Sequence, residues 1–366
     1  MPGILIMKKR VVVAMSGGVD SSTAAWLLKK KGYEVIGATM CIGTQDRSET
    51  GSSRCCGFSD MEDARRIALQ LEIPFYVFQF KEEFEKEVIN YFCKEYREGR
   101  TPNPCILCNE KLKFGSFLER AMELGADYVA TGHYARLEFD EGSGQYLLKK
   151  GVDRKKDQSY VLFSLRQDQL RHTLFPLGEF QKEEVRKMAF ETGLRVHDKP
   201  ESQEVCFIPE TSYHYFLSER LKEAIIDGPI LDREGNVLGK HKGIPFYTIG
   251  QRRGLRLAKG KPLYVIGIDR EKNAVIVGEE REVYGDTFIA HSVNWIRSQD
   301  MASPISCKVK IRYNHPGAEA ILSSMGEDAL EVNLKAPQKA ITPGQAAVFY
   351  DGETVLGGGW IKKVIN

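Results

Sequence analysis

A short polar loop lies between the first strand-like run and the first helix-like run of the chain. Residues 10–15 are mostly β-branched and apolar, residues 22–31 have helical spacing before Gly32, and residues 16–22 read Ser-Gly-Gly-Val-Asp-Ser-Ser. Adjacent glycines allow a tight turn that aims several N–H groups at one anion, and a following helix N-terminus adds more. This order predicts an α/β fold with a phosphate site at one edge of its sheet.

The first half of the chain continues this alternation. Strand-like runs occupy residues 33–40, 75–80 and 127–131, and helix-like runs occupy residues 60–71, 81–97 and 110–124. Further helical runs are expected at residues 168–174, 182–192 and 213–222. The alternation predicts a doubly wound, mostly parallel sheet, with ligands outside the carboxyl ends of its strands.

The second half has short β-rich runs separated by turn residues. They lie at residues 229–231, 237–238, 245–249, 263–269, 274–277, 306–313, 318–325, 329–334, 346–350 and 354–361. Within the last run, Gly357-Gly358-Gly359 indicates a bend or a close backbone approach. We therefore predict an α/β domain at 1–215, a small β-rich domain at 216–286 and a C-terminal β-barrel at 287–366.

The side chains of the Gly-rich loop suit a nucleoside triphosphate. Ser16, Ser21 and Ser22 can donate to phosphate oxygens, and Asp20 can hold the Mg²⁺ that accompanies them. The loop lacks the Gly-Lys-Ser/Thr ending of a Walker loop and the spacing of a dinucleotide loop. The simpler alternative is a Gly-Ser turn that only caps a helix.

Two further runs contain cysteines in polar surroundings. Residues 101–109 read Thr-Pro-Asn-Pro-Cys-Ile-Leu-Cys-Asn and lead into a predicted helix, so Cys108 is expected near a helix N-terminus with a lowered thiol pKa. By itself the Cys-x-x-Cys spacing fits a redox pair, half a metal site or coincidence. Residues 201–209 read Glu-Ser-Gln-Glu-Val-Cys-Phe-Ile-Pro, where Cys206 alone is most simply a small hydrophobic residue.

Cysteine content and hydropathy restrict the class of protein. Eight cysteines in 366 residues are too few for a disulfide-stabilised secreted scaffold. No apolar run approaches the roughly 20 residues that span a bilayer, and the first residues do not resemble a secretion signal. We expect a cytoplasmic protein with reduced thiols and no membrane partner.

The charges are balanced overall but unevenly placed. The chain has 52 Lys+Arg and 50 Asp+Glu, which argues against a wholly cationic nucleic-acid binder. Residues 240–261, however, contain seven Lys/Arg, no acid and the aromatic pair Phe246-Tyr247, which suits RNA, although a solvated loop is the common alternative. Residues 149–156 are also rich in Lys/Arg, and strand alternation predicts that Lys308, Lys310 and Arg312 share a face.

Together these motifs closely resemble the tRNA-specific 2-thiouridylases, a family of the N-type ATP pyrophosphatases with their pyrophosphatase-type (PP) loop. The resemblance covers essentially the whole chain and extends through Lys-Asp-Gln-Ser-Tyr at 156–160, the run at 247–254 and Lys-Ile-Arg-Tyr at 310–313. It implies that ATP is cleaved between its α and β phosphates to adenylate a tRNA wobble uridine. The uridine must leave its stack, which an anticodon loop permits more readily than a duplex.

The resemblance also implies which residues bind the substrates. Contacts to ATP are expected from residues of the loop and the adjoining strand ends, namely Ala14, Met15, Ser16, Gly17, Gly18, Val19, Asp20, Ser21, Met40 and Gly132. Contacts to tRNA are expected from residues spread along the chain, namely Asn103, Pro104, Cys105, His133, Lys156, Asp157, Gln158, Arg312, Tyr313 and Gln345.

The implied catalytic residues are Asp20, Cys108 and Cys206. A donor protein would load Cys206 with a persulfide, Cys108 would act as the nucleophile that frees its sulfur for C2 of the uridine, and a transient Cys108–Cys206 disulfide would form. Cys105 departs from the acidic residue of many family members. The alternative is therefore a [4Fe–4S] cluster on Cys105, Cys108 and Cys206, with one open iron that delivers sulfide.

The remaining cysteines lack motif support and are interpreted as structural: Cys41, Cys55, Cys56, Cys93 and Cys307. Two other functions remain open from the residues alone. A synthetase of the same superfamily, of the argininosuccinate or GMP type, would not need the Cys108 and Cys206 pair or the basic run. A non-catalytic, nucleotide-sensing RNA-binding protein would keep the loop and the basic faces but would not release AMP and pyrophosphate.

Overall fold

The computed structural model describes residues 8–43, 58–199, 205–208, 213–222, 225–257, 260–299, 301–326 and 328–365. Its α-helices are α1 Val19–Lys30, α2 Phe58–Gln70, α3 Lys81–Phe84, α4 Asn90–Arg97, α5 Pro104–Leu107, α6 Phe117–Glu123, α7 Gln167–Arg171, α8 Lys182–Glu191 and α9 Tyr213–Arg220. The π-helical stretches Glu85–Ile89 and Cys108–Ser116 continue α3 into α4 and α5 into α6.

The strands of the first half are β1 Arg10–Ala14, β2 Glu34–Cys41, β3 Phe75–Gln79, β4 Tyr128–Ala130, β5 Ala135–Asp140, β6 Gln145–Lys150 and β7 Thr173–Leu174. Those of the second half are β8 Gly228–Leu231, β9 Val237–His241, β10 Tyr264–Asp269, β11 Ala274–Gly278, β12 Tyr284–Trp295, β13 Ile305–Lys310, β14 Ala318–Ser324, β15 Ala329–Lys339, β16 Ala346–Asp351 and β17 Thr354–Ile365.

The described chain forms two compact units with interleaved sequences. The first unit contains Met1–Glu87, Cys105–Pro209 and Glu353–Val355, and the second contains Val88–Pro104, Glu210–Gly352 and Leu356–Asn366. Glu353 joins the first unit through several contacts. Its backbone oxygen accepts from Lys150 N at 2.9 Å, and its carboxylate pairs with Arg136 and Arg154.

A parallel sheet with the order β3-β2-β1-β4-β7 organises the first unit. Residues 11–13 of β1 are completely buried, as expected for a central parallel strand. Small residues of three helices, Ala25 of α1, Ala64 of α2 and Ala189 of α8, belong to its core. The strand order reverses between β1 and β4, so the loops after these two strands border one crevice.

The second unit contains α4, α9 and two β structures. One is a four-stranded sheet with the order β10-β11-β8-β9. The other has the order β12-β15-β14-β13-β16-β17, and pairing of β12 with β17 closes it into a six-stranded barrel. A Cβ at Gly357 would lie 2.2 Å from Asn294 O, which confirms the predicted close backbone approach. The predicted α/β, central β-rich and C-terminal barrel architecture is confirmed.

Some local predictions were wrong. The run at 168–174 is only helical to Arg171, and Thr173–Leu174 instead pairs with β4 at the sheet edge. The expected strand at 245–249 is replaced by the 3₁₀ turn Ile244–Phe246, which contains a proline. The hairpin of β5 and β6 and the long strand β12 were not predicted.

Candidate active site

The loop after β1 enters α1 through Gly18, which is the N-cap residue. Glycine has no side chain to cap the helix and therefore leaves first-turn N–H groups to an anion. Gly17 has a φ of +72°, a conformation that favours glycine. Ser21 and Ser22 hydroxyls donate to Gly18 O at 3.2 and 2.8 Å. Ser22 is fully buried and thus braces the loop, whereas Ser16 is exposed and can reach a phosphate.

Two side chains from other elements hold the Asp20 carboxylate. Lys182 Nζ donates to Asp20 Oδ1 and Oδ2 at 2.7 and 2.8 Å, and Tyr134 OH donates to Oδ1 at 2.8 Å. The Lys182 side chain is 8% exposed and that of Asp20 is 32% exposed. The buried Lys182 ammonium fixes Asp20 and places a positive charge beside the Gly-rich loop, where it can attract an anion. Sequence reasoning missed Lys182 because its burial at the start of α8 leaves no local signal.

The strand ends place several expected ATP contacts near the loop. A Cβ at Gly132 would lie 2.9 Å from Ser21 N, so the turn after β4 touches the start of α1. Met40 is half-buried near the end of β2. Met15 is buried and its side chain belongs to the core around β1, while its main-chain N–H donates to Ala38 O at 2.8 Å.

Cys108 does not lie at the start of a helix. The helix begins at Pro104, so Cys108 lies beyond its first turn. The helix dipole lowers a thiol pKa most strongly within the first turn. Burial raises the pKa of the Cys108 thiol, and the Lys113 charge only opposes this change. The predicted lowering of its pKa is therefore wrong.

Cys105 and Cys206 are exposed, and all three candidate thiols belong to the first unit. Within the described ranges, which include these three residues, no group of three or more His, Cys, Asp or Glu side chains could hold a metal ion. The [4Fe–4S] alternative therefore gains no support from the described residues and stays a prediction.

His133 was expected to contact tRNA, but it is buried in the first unit. Its ring lies between Phe114 and Phe175, with centroid separations of 6.1 and 6.0 Å. Thr131 Oγ1 lies 2.6 Å from His133 Nδ1. Burial lowers the pKa of His133 well below its ordinary value, and Lys113 adds to the effect. The imidazole therefore packs inside the first unit, and its expected contact with tRNA stays a prediction.

Asp157 and Gln158 also act within the first unit. Asp157 is buried, and its Oδ1 accepts from Gly151 N and Ser159 N at 3.2 and 3.0 Å. Gln158 Oε1 accepts from Tyr134 N at 3.0 Å. Asp157 therefore braces its own loop, and the expected RNA contacts of Asp157 and of half-buried Lys156 stay predictions.

In the second unit, the segment before the cysteines is fixed at Thr101. Its N–H donates to Pro343 O at 2.9 Å, its carbonyl accepts from Gln345 Nε2 at 2.8 Å, and its hydroxyl donates to Thr248 Oγ1 at 3.3 Å. Gln345, an expected tRNA contact, therefore positions this segment. Asn103, another expected contact, is half-buried two residues later.

Basic side chains remain exposed on the second unit. Arg252, Arg253 and Arg256 are exposed, whereas Lys242 and Lys261 pair with Asp227 and Glu279 at 3.0 and 3.6 Å.

The predicted alternation on the barrel is confirmed by the burial of Cys307, Val309 and Ile311 between the basic positions. Arg312 is exposed, and Lys310 Nζ lies 6.0 Å from the ring centroid of Tyr313.

Comparisons with known proteins cover nearly the whole chain. Family models match a tRNA methyl transferase HUP domain at residues 9–210, its PRC-barrel domain at 214–279 and an aminomethyltransferase β-barrel domain at 285–361. A tRNA-specific 2-thiouridylase of Symbiobacterium thermophilum is 52% identical over 98% of this chain and 93% of its own length. One of Halothermothrix orenii is 52% identical over 97% and 99%, respectively. The chain belongs to the tRNA-specific 2-thiouridylase family.

This membership confirms the resemblance that the motifs suggested. Solved structures are matched more distantly. A 4-thiouridine synthetase in complex with RNA and ATP is 20% identical over 59% of this chain and 50% of that chain, with a TM-score of 0.35. A predicted tRNA methyltransferase subunit of Methanocaldococcus jannaschii is 20% identical over 50% and 76%, with a TM-score of 0.33. Among the described helices of this 2-thiouridylase family member, none is long and apolar enough to cross a membrane.

Proposed function

We propose that this protein transfers sulfur to C2 of a tRNA wobble uridine and consumes ATP in doing so. The observation that carries the proposal is the joint presence, in one compact unit, of an anion-binding helix start, the Asp20–Lys182 pair and the cysteines Cys108 and Cys206. The relatives named above are 2-thiouridylases over nearly their full length. A synthetase without sulfur chemistry would not require both cysteines.

ATP would bind with its phosphates at the N-terminus of α1, between the turns after β1 and β4. The main-chain N–H groups of the loop and Ser16 would bind phosphate oxygens. Asp20 fits a Mg²⁺ held with the phosphates, because a carboxylate has about four acceptor positions and fewer are occupied by Lys182 and Tyr134. The ion would neutralise phosphate charge, and Lys182 would add a fixed positive charge beside it.

Adenylation would convert the C2 oxygen of the uridine into part of a good leaving group, AMP. That oxygen would attack the α-phosphorus of ATP, and pyrophosphate would leave. The Cys108 thiolate would attack Cys206 Sγ of a Cys206 persulfide, so that a Cys108–Cys206 disulfide forms and hydrosulfide is released. Hydrosulfide would attack C2 and displace AMP. A thiol reductant would then restore both cysteines, and a sulfur carrier protein would reload Cys206.

Burial at Cys108 influences this sequence. Because burial raises the pKa of its thiol, Cys108 stays mostly protonated at neutral pH and is shielded from side reactions. Binding of substrate RNA near this segment would have to bring a base or a positive charge to the thiol. The exposed arginines Arg252, Arg253 and Arg256 are candidates for holding the RNA backbone.

The proposal is tested with purified protein, tRNA, ATP, Mg²⁺ and a persulfide donor under reducing conditions. We expect AMP, pyrophosphate and 2-thiouridine from the wild type, no 2-thiouridine from C108S or C206S, and normal product from C307S. Cys307 is a suitable control because it is a buried thiol of the barrel. Absence of 2-thiouridine with the wild type, or full activity of C206S, would refute the proposal. Nucleotide and tRNA binding without AMP release would instead indicate a sensor.

A further inference from the structure

A lysine outside the loop contacts its main chain. Lys199 Nζ donates to Gly17 O at 3.1 Å, to Asp60 Oδ1 at 2.7 Å and to Asp63 Oδ2 at 2.8 Å. Asp60 and Asp63 belong to the first turns of α2. The side chain of Lys199 is only 29% exposed, so its ammonium is largely surrounded by these oxygens. The two carboxylates hold the ammonium where it can bind the Gly17 carbonyl.

The Gly17 contact fixes the orientation of one peptide group. In a trans peptide the carbonyl of Gly17 and the N–H of Gly18 point in opposite directions. A peptide between two glycines can rotate easily, because neither residue restricts φ and ψ strongly. An ammonium bound to Gly17 O therefore keeps the Gly18 N–H directed to the other side of the loop. The α2 side is already closed, since a Cβ at Gly17 would lie 2.2 Å from Asp60 O.

The main chain at Lys199 is itself held. Arg186 of α8 donates to His197 O at 2.9 Å and to Lys199 O at 3.4 Å. Lys182, which binds Asp20, lies one turn earlier on the same face of α8. Helix α8 thus contacts Asp20 through Lys182, and it contacts the main chain at Lys199 through Arg186.

The same segment leads to Cys206. Lys199 precedes Cys206 by seven residues, a distance of at most roughly 25 Å along an extended chain. After Cys206, Phe207 is buried, and its ring lies 5.6 Å from that of Phe84. Anchors on both sides of Cys206 therefore belong to the first unit, and one of them touches the phosphate loop directly.

We infer that Lys199 is a positioning residue of the ATP site, which holds the Gly17–Gly18 peptide with its N–H available to phosphate. This inference rests on the proposed use of ATP. It assigns Lys199 no contact with substrate. Lys199 acts through the loop, so its removal should weaken ATP binding more than it slows the reaction of bound ATP.

The test compares K199M and K199R with the wild type as full-length proteins. Loss of one charge-assisted hydrogen bond to the loop predicts that the Kd and KM for Mg·ATP rise about 10- to 100-fold in K199M. The kcat at saturating ATP should stay within about threefold of the wild type. K199R keeps donors for the same three oxygens and should recover most of the affinity.

K29M is the matched control. Lys29 binds the opposite end of α2, through Leu71 O and Glu72, and should leave the Kd for ATP unchanged. A purely structural role of Lys199 would lower Tm and the active fraction but leave the Kd of the folded protein unaltered. In hydrogen exchange, ATP should protect residues 197–199 in the wild type and fail to do so in K199M.

Calorimetric titration with Mg·ATP separates the two hypotheses because it needs neither tRNA nor sulfur. Wild-type binding together with a K199M Kd within twofold of the wild type would overturn the assignment of Lys199 alone. Absence of ATP binding by the wild type would overturn the proposed function and this inference with it. If K199M does not fold, K199R decides: a Kd for Mg·ATP raised by more than about tenfold over the wild type contradicts the inference.

Discussion

Replacing Lys182 with methionine should destabilise the first unit, because the Asp20 carboxylate loses the ammonium with which it pairs. Methionine keeps much of the apolar stem but has no charge. The variant loses two charge-assisted hydrogen bonds of 2.7 and 2.8 Å to the Asp20 carboxylate. That carboxylate keeps the Tyr134 hydroxyl as a partner.

The size of the effect follows from burial. Loss of a fully buried ion-pair partner costs about 3–5 kcal/mol. Asp20 is 32% exposed, so solvent screens part of its charge, and about 1–3 kcal/mol is expected. For a unit of this size that corresponds to a Tm lower by roughly 2–12 °C. Because the Lys182 side chain is only 8% exposed, we expect a loss of stability in the upper part of this range.

A double-mutant cycle with D20N isolates the pair. Tm of the wild type, K182M, D20N and the double variant is measured by differential scanning fluorimetry without nucleotide. If the two side chains stabilise each other, the double variant should be about as stable as the less stable single variant. K187M is the control, because Lys187 of the same helix is 74% exposed and lies 3.8 Å from Glu191, and its Tm should change by less than about 2 °C. Additive effects of K182M and D20N would refute the reasoning.

Three further predictions concern the same unit. G132A should lower the rate of AMP formation about tenfold or more, because its Cβ would lie 2.9 Å from Ser21 N. The control G142A, in an open turn, should form AMP at the wild-type rate. Equal rates for the two variants would contradict this prediction. Alkylation of Cys108 by iodoacetamide, followed by peptide mass spectrometry, should reach half its maximal rate above pH 9, since burial raises the pKa; a midpoint below pH 8 would be inconsistent. Because the pKa of His133 is lowered in the folded protein, the unfolded chain takes up the proton first as pH falls below about 6.5, so this contribution to stability is present above that pH and lost below it. H133Q should therefore show a smaller drop in Tm between pH 7.5 and 5 than the wild type. An identical drop would exclude His133 as the cause.

The sequence predicted elements whose signals are local. The β-branched run that became β1, the glycines of the phosphate loop and the alternation of Cys307, Val309 and Ile311 each follow from neighbouring residues. The 3₁₀ turn at Ile244–Phe246 has the composition of a strand but contains Pro245, and its local turn prevailed.

The site was only partly predictable, because its partners come from distant positions. The loop identified Asp20, but Lys182 lies 162 residues away and Lys199 lies 182 residues from Gly17. The burial that keeps His133 neutral also depends on Phe114 and Phe175, which no local pattern connects. The pKa of Cys108 was wrongly predicted because burial raises it and because the helix begins at Pro104, six residues before the expected start at residue 110.

The Glu353 contacts have a consequence for biosynthesis. Arg136, Lys150 and Arg154 are translated long before Glu353, which follows Arg154 by 199 residues. At roughly 5–20 residues per second, the interval between Arg154 and Glu353 lasts on the order of 10–40 s. Once Cys206 has been translated, the nascent first unit has its phosphate loop and both cysteines but still no Glu353 to bind these three residues. A ribosome-bound chain stalled before residue 353 should therefore be more sensitive to proteolysis near β5 and β6 than the released protein.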